Sequence, residues 1–189
     1  TKIAGDLHDD VGGLLTGIAM QSEILELDKG IKDPSRVQKI REMSQHAIAQ
    51  MRDLVWSIDG RRDKLEHLFD RMREYAGETL QPKGIAFKIM LNQSDISKKL
   101  PLEVRQNLFL IFKEAVTNTL RHSNATKMTV SAKFKSGTFE IYIRDNGTNS
   151  DSEKIATGLG LSNMKRRAKK MNGMIEFDLK NGFGILIRV

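Results

Sequence analysis

PLEVRQNLFLIFKEAVTNTLR, residues 101–121, is the stretch that decides the fold. Its Leu108, Ile111, Phe112, Ala115 and Thr119 recur on one face at helical spacing, and Pro101 opens the helix. Beside that face Glu114, Asn118 and His122, at i, i+4 and i+8, form a polar stripe. A stripe on the border of a core is expected to be partly buried and to need partners. Strand patterns flank the helix. Ile85 to Leu91 alternates before it, and Lys127–Phe134 and Thr138–Arg144 follow it around a Ser136-Gly137 turn. Further out, Leu65, Leu68, Phe69, Met72, Tyr75 and Ala76 mark a helix over residues 65–80, stopped by Pro82 and Gly84. A polar, glycine-containing loop is predicted over 147–160 and a basic helix over roughly 161–171. Two last strands share the Asn181-Gly182 turn. Helices beside a mainly antiparallel sheet make this part an α/β layer structure, and the chain as a whole α+β.

The first sixty residues read differently. Leu7, Val11, Leu14, Ile18, Gln21 and Leu25 recur at alternating spacings of four and three, a heptad seam with one polar member. Asp33-Pro34 restarts a helix, and Val37, Ile40, Ser44, Ala47, Met51, Leu54 and Ile58 form a second seam. Two antiparallel helices with seams this narrow bury too little alone, so a homodimeric four-helix bundle is expected. Asp59-Gly60 ends the hairpin, and residues 61–64 read as a linker. The predicted domains are therefore 1–60 and 61–189. Neither an internal repeat nor a low-complexity segment interrupts them.

Charge divides at the same place. The 189 residues carry 31 Lys+Arg against 24 Asp+Glu, a net of +7. Residues 1–60 hold seven against ten, a net of −3, while 61–189 hold 24 against 14, a net of +10. The basic part should favour a polyanion: nucleic acid, an anionic surface or a nucleotide triphosphate. With no cysteine, disulfides, a thiolate zinc site and a cysteine nucleophile are excluded. No apolar run approaches the ~18 residues of a membrane span, and no signal-peptide pattern opens the chain. Because it begins with Thr1, a piece of a longer protein is expected.

Three groups of residues could carry chemistry. His8 lies on the flank of the first seam beside Gly12, in a helix that also holds Gly5, Gly13 and Gly17. Each glycine costs about 1 kcal/mol relative to alanine, so open space around an exposed histidine would explain them. Asp9 could fix the histidine tautomer and leave one ring nitrogen free to attack. An incidental surface histidine is the other reading of these residues. The carboxylate of Glu114 and the carboxamide of Asn118, one turn apart, could hold a hydrated Mg²⁺, which takes few protein ligands. A hydrogen-bonded boundary stripe without metal remains equally open. Asp145-Asn146-Gly147 ends a strand, where an acidic side chain could accept from an amino group such as adenine's. Gly158-Leu159-Gly160-Leu161 lies at the mouth of a helix, where exposed N–H groups could cradle phosphate. Each fragment alone is weak, and the P-loop pattern is absent.

Taken in order, these pieces resemble the bacterial two-component sensor histidine kinases. The likeness is to the short-lid subfamily whose partners are helix-turn-helix response regulators. His8-Asp9-Asp10-Val11-Gly12-Gly13-Leu14-Leu15-Thr16 is similar to its phosphoacceptor box, and residues 114–122 to its N box. Asp145-Asn146-Gly147 and Gly158-Leu159-Gly160-Leu161 are similar to its two glycine boxes, and Met51 to Ile58 to the end of its second bundle helix. The resemblance implies the cytoplasmic catalytic core of a sensor whose full-length form could be membrane-anchored. It implies a dimeric helical hairpin, a GHKL-type ATP-binding α/β sandwich, ATP and Mg²⁺ as cofactors, and a response regulator receiver domain as partner. His8 would take the γ-phosphate with Asp9 as its proton-accepting neighbour. Asn118 would ligate Mg²⁺, Glu114 would position its water, and His122 would support the site. Asp145 and Gly147 would form the adenine end, Asp145 reading the amino group, and residues 158–161 would hold the phosphates. The nucleotide domain would swing about Gly60–Lys64.

Two positions depart from the subfamily. Gly13 stands where many relatives carry the Gln associated with dephosphorylating the regulator, and Gly60 where a proline often follows the second helix. Lys165, Arg166, Arg167, Lys169 and Lys170 read as a solvated basic face, with a phosphate-facing rim as the next reading. With 6% aromatic residues and no readout motif, no nucleic-acid partner is expected. Trp56 reads as core or hinge packing, His46 and His67 as surface residues, and the nine methionines as core fillers. The rival function is a GHKL ATPase that acts as an ATP-gated conformational machine without labelling itself.

Overall fold

The computed structural model describes residues 15–25, 37–45, 47–48, 51, 63–92, 94–148, 159–179 and 182–189. His8, Asp9, Gly5, Gly12, Gly13, His46, Trp56, Gly60 and Gly158 lie outside them, as does most of the 147–160 loop. The chain divides into two compact units, Thr1–Asp59 and Gly60–Val189.

The first unit is helical at 15–25 (α1) and at 37–45, 47–48 and 51 (α2). Seam residues Ile18, Gln21, Leu25, Ile40 and Ser44 are half-buried and Ala47 is buried. Val37 and Met51, read as seam members, are exposed, as are Leu15, Met20 and Ile48. One hairpin face is too narrow to cover them all. The hydroxyls of Ser22 and Ser44 donate to the carbonyls of Ile18 and Ile40 (2.9 and 2.7 Å), so these polar residues are satisfied within their own helices. A Cβ on Gly17 would overlap the Met43 Cε. At Gly17 the missing side chain leaves room for Met43; the reading of open space around His8 rests on residues outside the described ones.

The second unit runs α3 (Leu65–Thr79), a 3-10 turn (Gln81–Lys83), β1 (Ala86–Leu91), α4 (Leu102–His122), β2 (Lys127–Lys135), β3 (Thr138–Asp145), α5 (Leu159–Lys170), β4 (Met174–Asp178) and β5 (Gly184–Arg188). The sheet order is β1-β2-β3-β5-β4. Strand β1 pairs parallel to β2 through the α4 crossover, and every other pairing is antiparallel. Alternation sends Met128, Val130, Ala132, Phe139, Ile141 and Ile143 to the helix-covered face. On the other face Glu140 bridges Lys133 (3.2 Å) and Arg188 (3.1 Å). Helix α4 buries Leu108, Phe109, Ile111, Phe112, Ala115 and Val116. Its Phe112 ring lies 5.6 Å from Phe87 of β1 and 6.2 Å from Tyr75 of α3. Each fully buried side chain of this size contributes ~1.5–3 kcal/mol.

Three expectations change. Helix α5 starts at Leu159, so Gly160 lies in its first turn rather than before it. Leu161, Met164, Ala168 and Met171 anchor the helix inward, and bare Gly160 lets its first turn lie against Glu114. Met72, Met128, Met164 and Met171 do fill the core, but Met20, Met51, Met90 and Met174 are exposed. His67 is half-buried, with a buried Nδ1 that has no hydrogen-bond partner among the described residues. Among the described residues, no helix is long and apolar enough to cross a membrane.

Candidate nucleotide site

The alternation of β3 that buries Phe139, Ile141 and Ile143 reaches Asp145 next, so its carboxylate is turned inward and is only 2% exposed. A carboxylate there must be fully partnered. Oδ1 accepts the N–H groups of Gly147 (2.9 Å) and Phe183 (3.1 Å). Oδ2 accepts the Thr119 hydroxyl (2.9 Å). Thus the last turn of α4, the end of β3 and the β4–β5 turn converge on one side chain. Two glycines permit it. A Cβ on Gly147 would overlap the Ser123 Oγ and lie 3.0 Å from the Ala125 nitrogen. Gly182, at φ +113°, leads into Phe183, and a Cβ there would overlap the Asp145 carbonyl oxygen.

Asn146 has a different task. Its Oδ1 accepts from the Thr126 and Lys127 nitrogens (3.0 and 2.8 Å), and its Nδ2 donates to the Thr126 Oγ1 (3.0 Å). It therefore clips the start of β2 to the end of β3.

On α4, Glu114 and Asn118 are half-buried one turn apart, while His122 is exposed at the last residue of the helix. The predicted stripe is thus partly buried only in its first two members, because the helix end projects beyond the core. Gly160 approaches Glu114 so closely that a Cβ would overlap Oε1. Among the described residues, no group of three His, Asp or Glu side chains could cage a metal. Glu114 and Asn118 suit only an ion that keeps most of its waters, which fits Mg²⁺. Leu161 is a core anchor of α5, and Leu159 opens the helix. Of the predicted basic face, Lys165, Arg166 and Lys169 are exposed, while Arg167 and Lys170 are half-buried.

Thr119, Phe183, Gly182 and Ser123 were not among the site residues expected from sequence. Thr119 gave one signal, a hydroxyl on an otherwise apolar helix face. The other three gave none beyond a turn.

Comparison with known proteins agrees with this layout. Residues 1–63 match the family described as histidine kinase. Residues 103–189 match the histidine kinase-, DNA gyrase B-, and HSP90-like ATPase family. The chain matches a sensor histidine kinase catalytic core. Over its whole length it is 32% identical to the sensor histidine kinase LiaS of Bacillus subtilis, of which it covers 52%. Over 88% of its length it is 31% identical to the sensor protein VraS of Staphylococcus aureus, of which it covers 48%. The chain thus spans about half the length of the curated relatives it matches. The Acinetobacter baumannii histidine kinase AdeS shares the fold at a TM-score of 0.62 and 14% identity, over 96% of each chain. The first family match falls on the helical front unit and the second within the α/β unit.

Proposed function

We propose that this chain is the ATP-dependent autokinase core of a two-component sensor. Residues 1–60 would form the dimerisation and phosphotransfer domain and residues 61–189 the ATP-binding domain. The observation that carries the reading is Asp145, a buried carboxylate whose partners among the described residues are all neutral donors, at the end of the strand where an adenine amino group would dock. Glu114 and Asn118 would hold Mg²⁺, which when bound neutralises charge on the phosphate oxygens. The first turn of α5, with Gly158 before it, would offer backbone N–H groups to the phosphates. His122 would support the site from the end of α4.

His8 would attack the γ-phosphorus through its unprotonated ring nitrogen. A P–N bond forms as the P–O bond to ADP breaks, and ADP leaves with the electron pair. Asp9 would accept a hydrogen bond from the other ring nitrogen and stabilise the cation that forms. The phosphoryl group would then pass to an aspartate of a receiver domain. A homodimer through the exposed apolar residues of α1 and α2 would complete the bundle.

Incubation with γ-labelled ATP and Mg²⁺ tests this. The expected product carries an acid-labile, base-stable phosphate that disappears in His8→Gln, while that variant still binds ATP. Label that survives His8→Gln refutes the assignment. Phosphate release without label would instead mark an ATP-gated conformational machine.

A further inference from the structure

We propose that Thr119 is a positioning residue for base recognition: its hydroxyl fixes Asp145 in the orientation that accepts the 6-amino group of an adenine nucleotide. The inference rests on reading this unit as an ATP site, and it adds a residue that neither the motifs nor the family match assigns.

Thr119 is wholly buried on α4, between Ala115 and Val116 on one side and β3 on the other. Valine would fill the same volume without placing a polar atom in the core, so the hydroxyl needs a reason. Helical Ser and Thr usually satisfy themselves on the carbonyl four residues back. Ser22, Ser44 and Thr117 do so here, at 2.9, 2.7 and 3.0 Å. Thr119 has that option too, with its Oγ1 3.1 Å from the Ala115 carbonyl oxygen. It lies closer, at 2.9 Å, to Asp145 Oδ2, 26 residues away on another element. A hydroxyl has one proton to give, and a carboxylate is the stronger acceptor.

The consequence follows from lone pairs. Each carboxylate oxygen offers about two acceptor directions. Those of Oδ1 are both taken, by the N–H groups of Gly147 and Phe183. Oδ2 receives Thr119 and, among the described residues, keeps one direction free. An incoming amino group must use that direction, and the hydroxyl decides where it points. The carboxylate torsion is broad, and the two N–H groups anchor only Oδ1, so without the hydroxyl the free lone pair of Oδ2 is less narrowly aimed. A base with a carbonyl oxygen at that place would meet acceptor with acceptor, which is discrimination by repulsion.

The test is a binding cycle on the whole 189-residue chain. Wild type, Thr119→Val and Thr119→Ser are titrated calorimetrically with Mg²⁺ and either ATP or purine riboside triphosphate, which lacks only the 6-amino group. Wild type should prefer ATP by about tenfold or more, the scale of one well-placed hydrogen bond. Thr119→Val should shrink the preference to about threefold or less while binding the purine analogue within ~2-fold of wild type. Thr119→Ser should keep the wild-type preference. A purely structural role would instead weaken both nucleotides equally and leave the ratio unchanged, and that result overturns the proposal. So does a collapse of the ratio in Thr119→Ser, or equal binding of both nucleotides by wild type. Circular dichroism checks folding, and Thr119→Ala removes the hydroxyl without crowding should the valine variant not fold. If wild type binds no ATP at all, the ATP reading itself fails, which is a different result from an unchanged ratio.

Discussion

Two buried aspartates stand at opposite ends of the β2–β3 ladder and have been closed in different ways. Asp95, 5% exposed, accepts the Phe134 N–H (3.2 Å) and pairs with the Lys98 ammonium (2.6 Å), which also lies 4.3 Å from the Phe134 ring centroid. The hydrogen bond from Lys98, and then the Phe134 N–H, hold its carboxyl below the ordinary carboxylate range. Asp145, 2% exposed, meets three neutral donors and, among the described residues, no cation. A lysine completes the first aspartate inside the fold, which makes it a staple between the 94–100 segment and β2. The second has its geometry fixed and, among the described residues, meets no cation, so a donor from outside the chain can still add to it. Burial and hydrogen bonding alone do not separate a structural carboxylate from a recognition one. The presence of an internal cation does.

The most direct way to break that distinction is to exchange charge for amide at both places. In Asp145→Asn, Oδ1 can still accept its two backbone donors, and the Thr119 hydroxyl can turn to the Ala115 carbonyl and accept from the new NH₂. That NH₂, however, also faces the incoming amino group. Donor against donor in a buried site costs about 3 kcal/mol, so ATP affinity and His8 labelling should fall on the order of a hundredfold. In Asp95→Asn, labelling should stay within about twofold of wild type while thermal stability drops by a few degrees. Equal losses of labelling in both variants would erase the distinction.

A second, smaller contrast concerns what surrounds the two ends of the site. A Cβ on Gly182 would meet the Asp145 main chain, and its φ of +113° is one that alanine resists. Backbone cannot move aside, so Gly182→Ala should cost ~1–3 kcal/mol and weaken ATP binding with it. A Cβ on Gly160 would meet only the tip of the flexible Glu114 side chain. Gly160→Ala should therefore leave the melting temperature within a degree or two of wild type, yet raise the Mg²⁺ concentration needed for labelling about tenfold. Rigid support at Asp145 and soft support at Glu114 predict opposite balances of stability against activity. A melt and a Mg²⁺ titration on each variant measure both.

The parts that sequence made readable were those with a short repeat. Alternation in 127–134 and 138–144 placed both strands, and the 3.6-residue period of 101–121 placed α4 with its Glu114 and Asn118 stripe. Asp145 lies one residue beyond the strand read from sequence, and an aspartate at a strand end is more often a turn residue, so its place on the core side was not read. Its partners were not readable either. Thr119 is 26 residues from it and Phe183 is 38, and which hydroxyl and which N–H arrive depends on how α4 and the β4–β5 turn pack on β3. No local period encodes that register. The early start of α5 escaped for a related reason. Gly160 weakens the helix locally, and only the tertiary contact with Glu114 makes its missing side chain an advantage. Met20, Met51, Met90 and Met174 are exposed because a methionine's burial depends on which face its element turns inward, and composition carries no such information.

The gentlest probe of the two aspartates is acid. Asp95 has a folded-state carboxyl held below its ordinary value of 3.8, chiefly by Lys98. Asp63 is held low in the same direction, chiefly by its hydrogen bond with Lys99. A carboxyl depressed by folding binds its proton more readily in the unfolded chain. Its stabilisation is therefore fully present above the unfolded value and is lost as pH falls through the folded one. Wild type should melt at a nearly constant temperature from pH 7 to about 5 and lose stability increasingly below about pH 4. Asp95→Asn removes one of these groups, so its melting temperature should start lower and fall less steeply across the same range. The Lys98 pair is partly exposed on the lysine side, so salt at ~1 M should flatten the wild-type curve toward that of the variant. If the two curves run parallel at every pH, Lys98 does not close the Asp95 site, and charge compensation is not what separates it from Asp145.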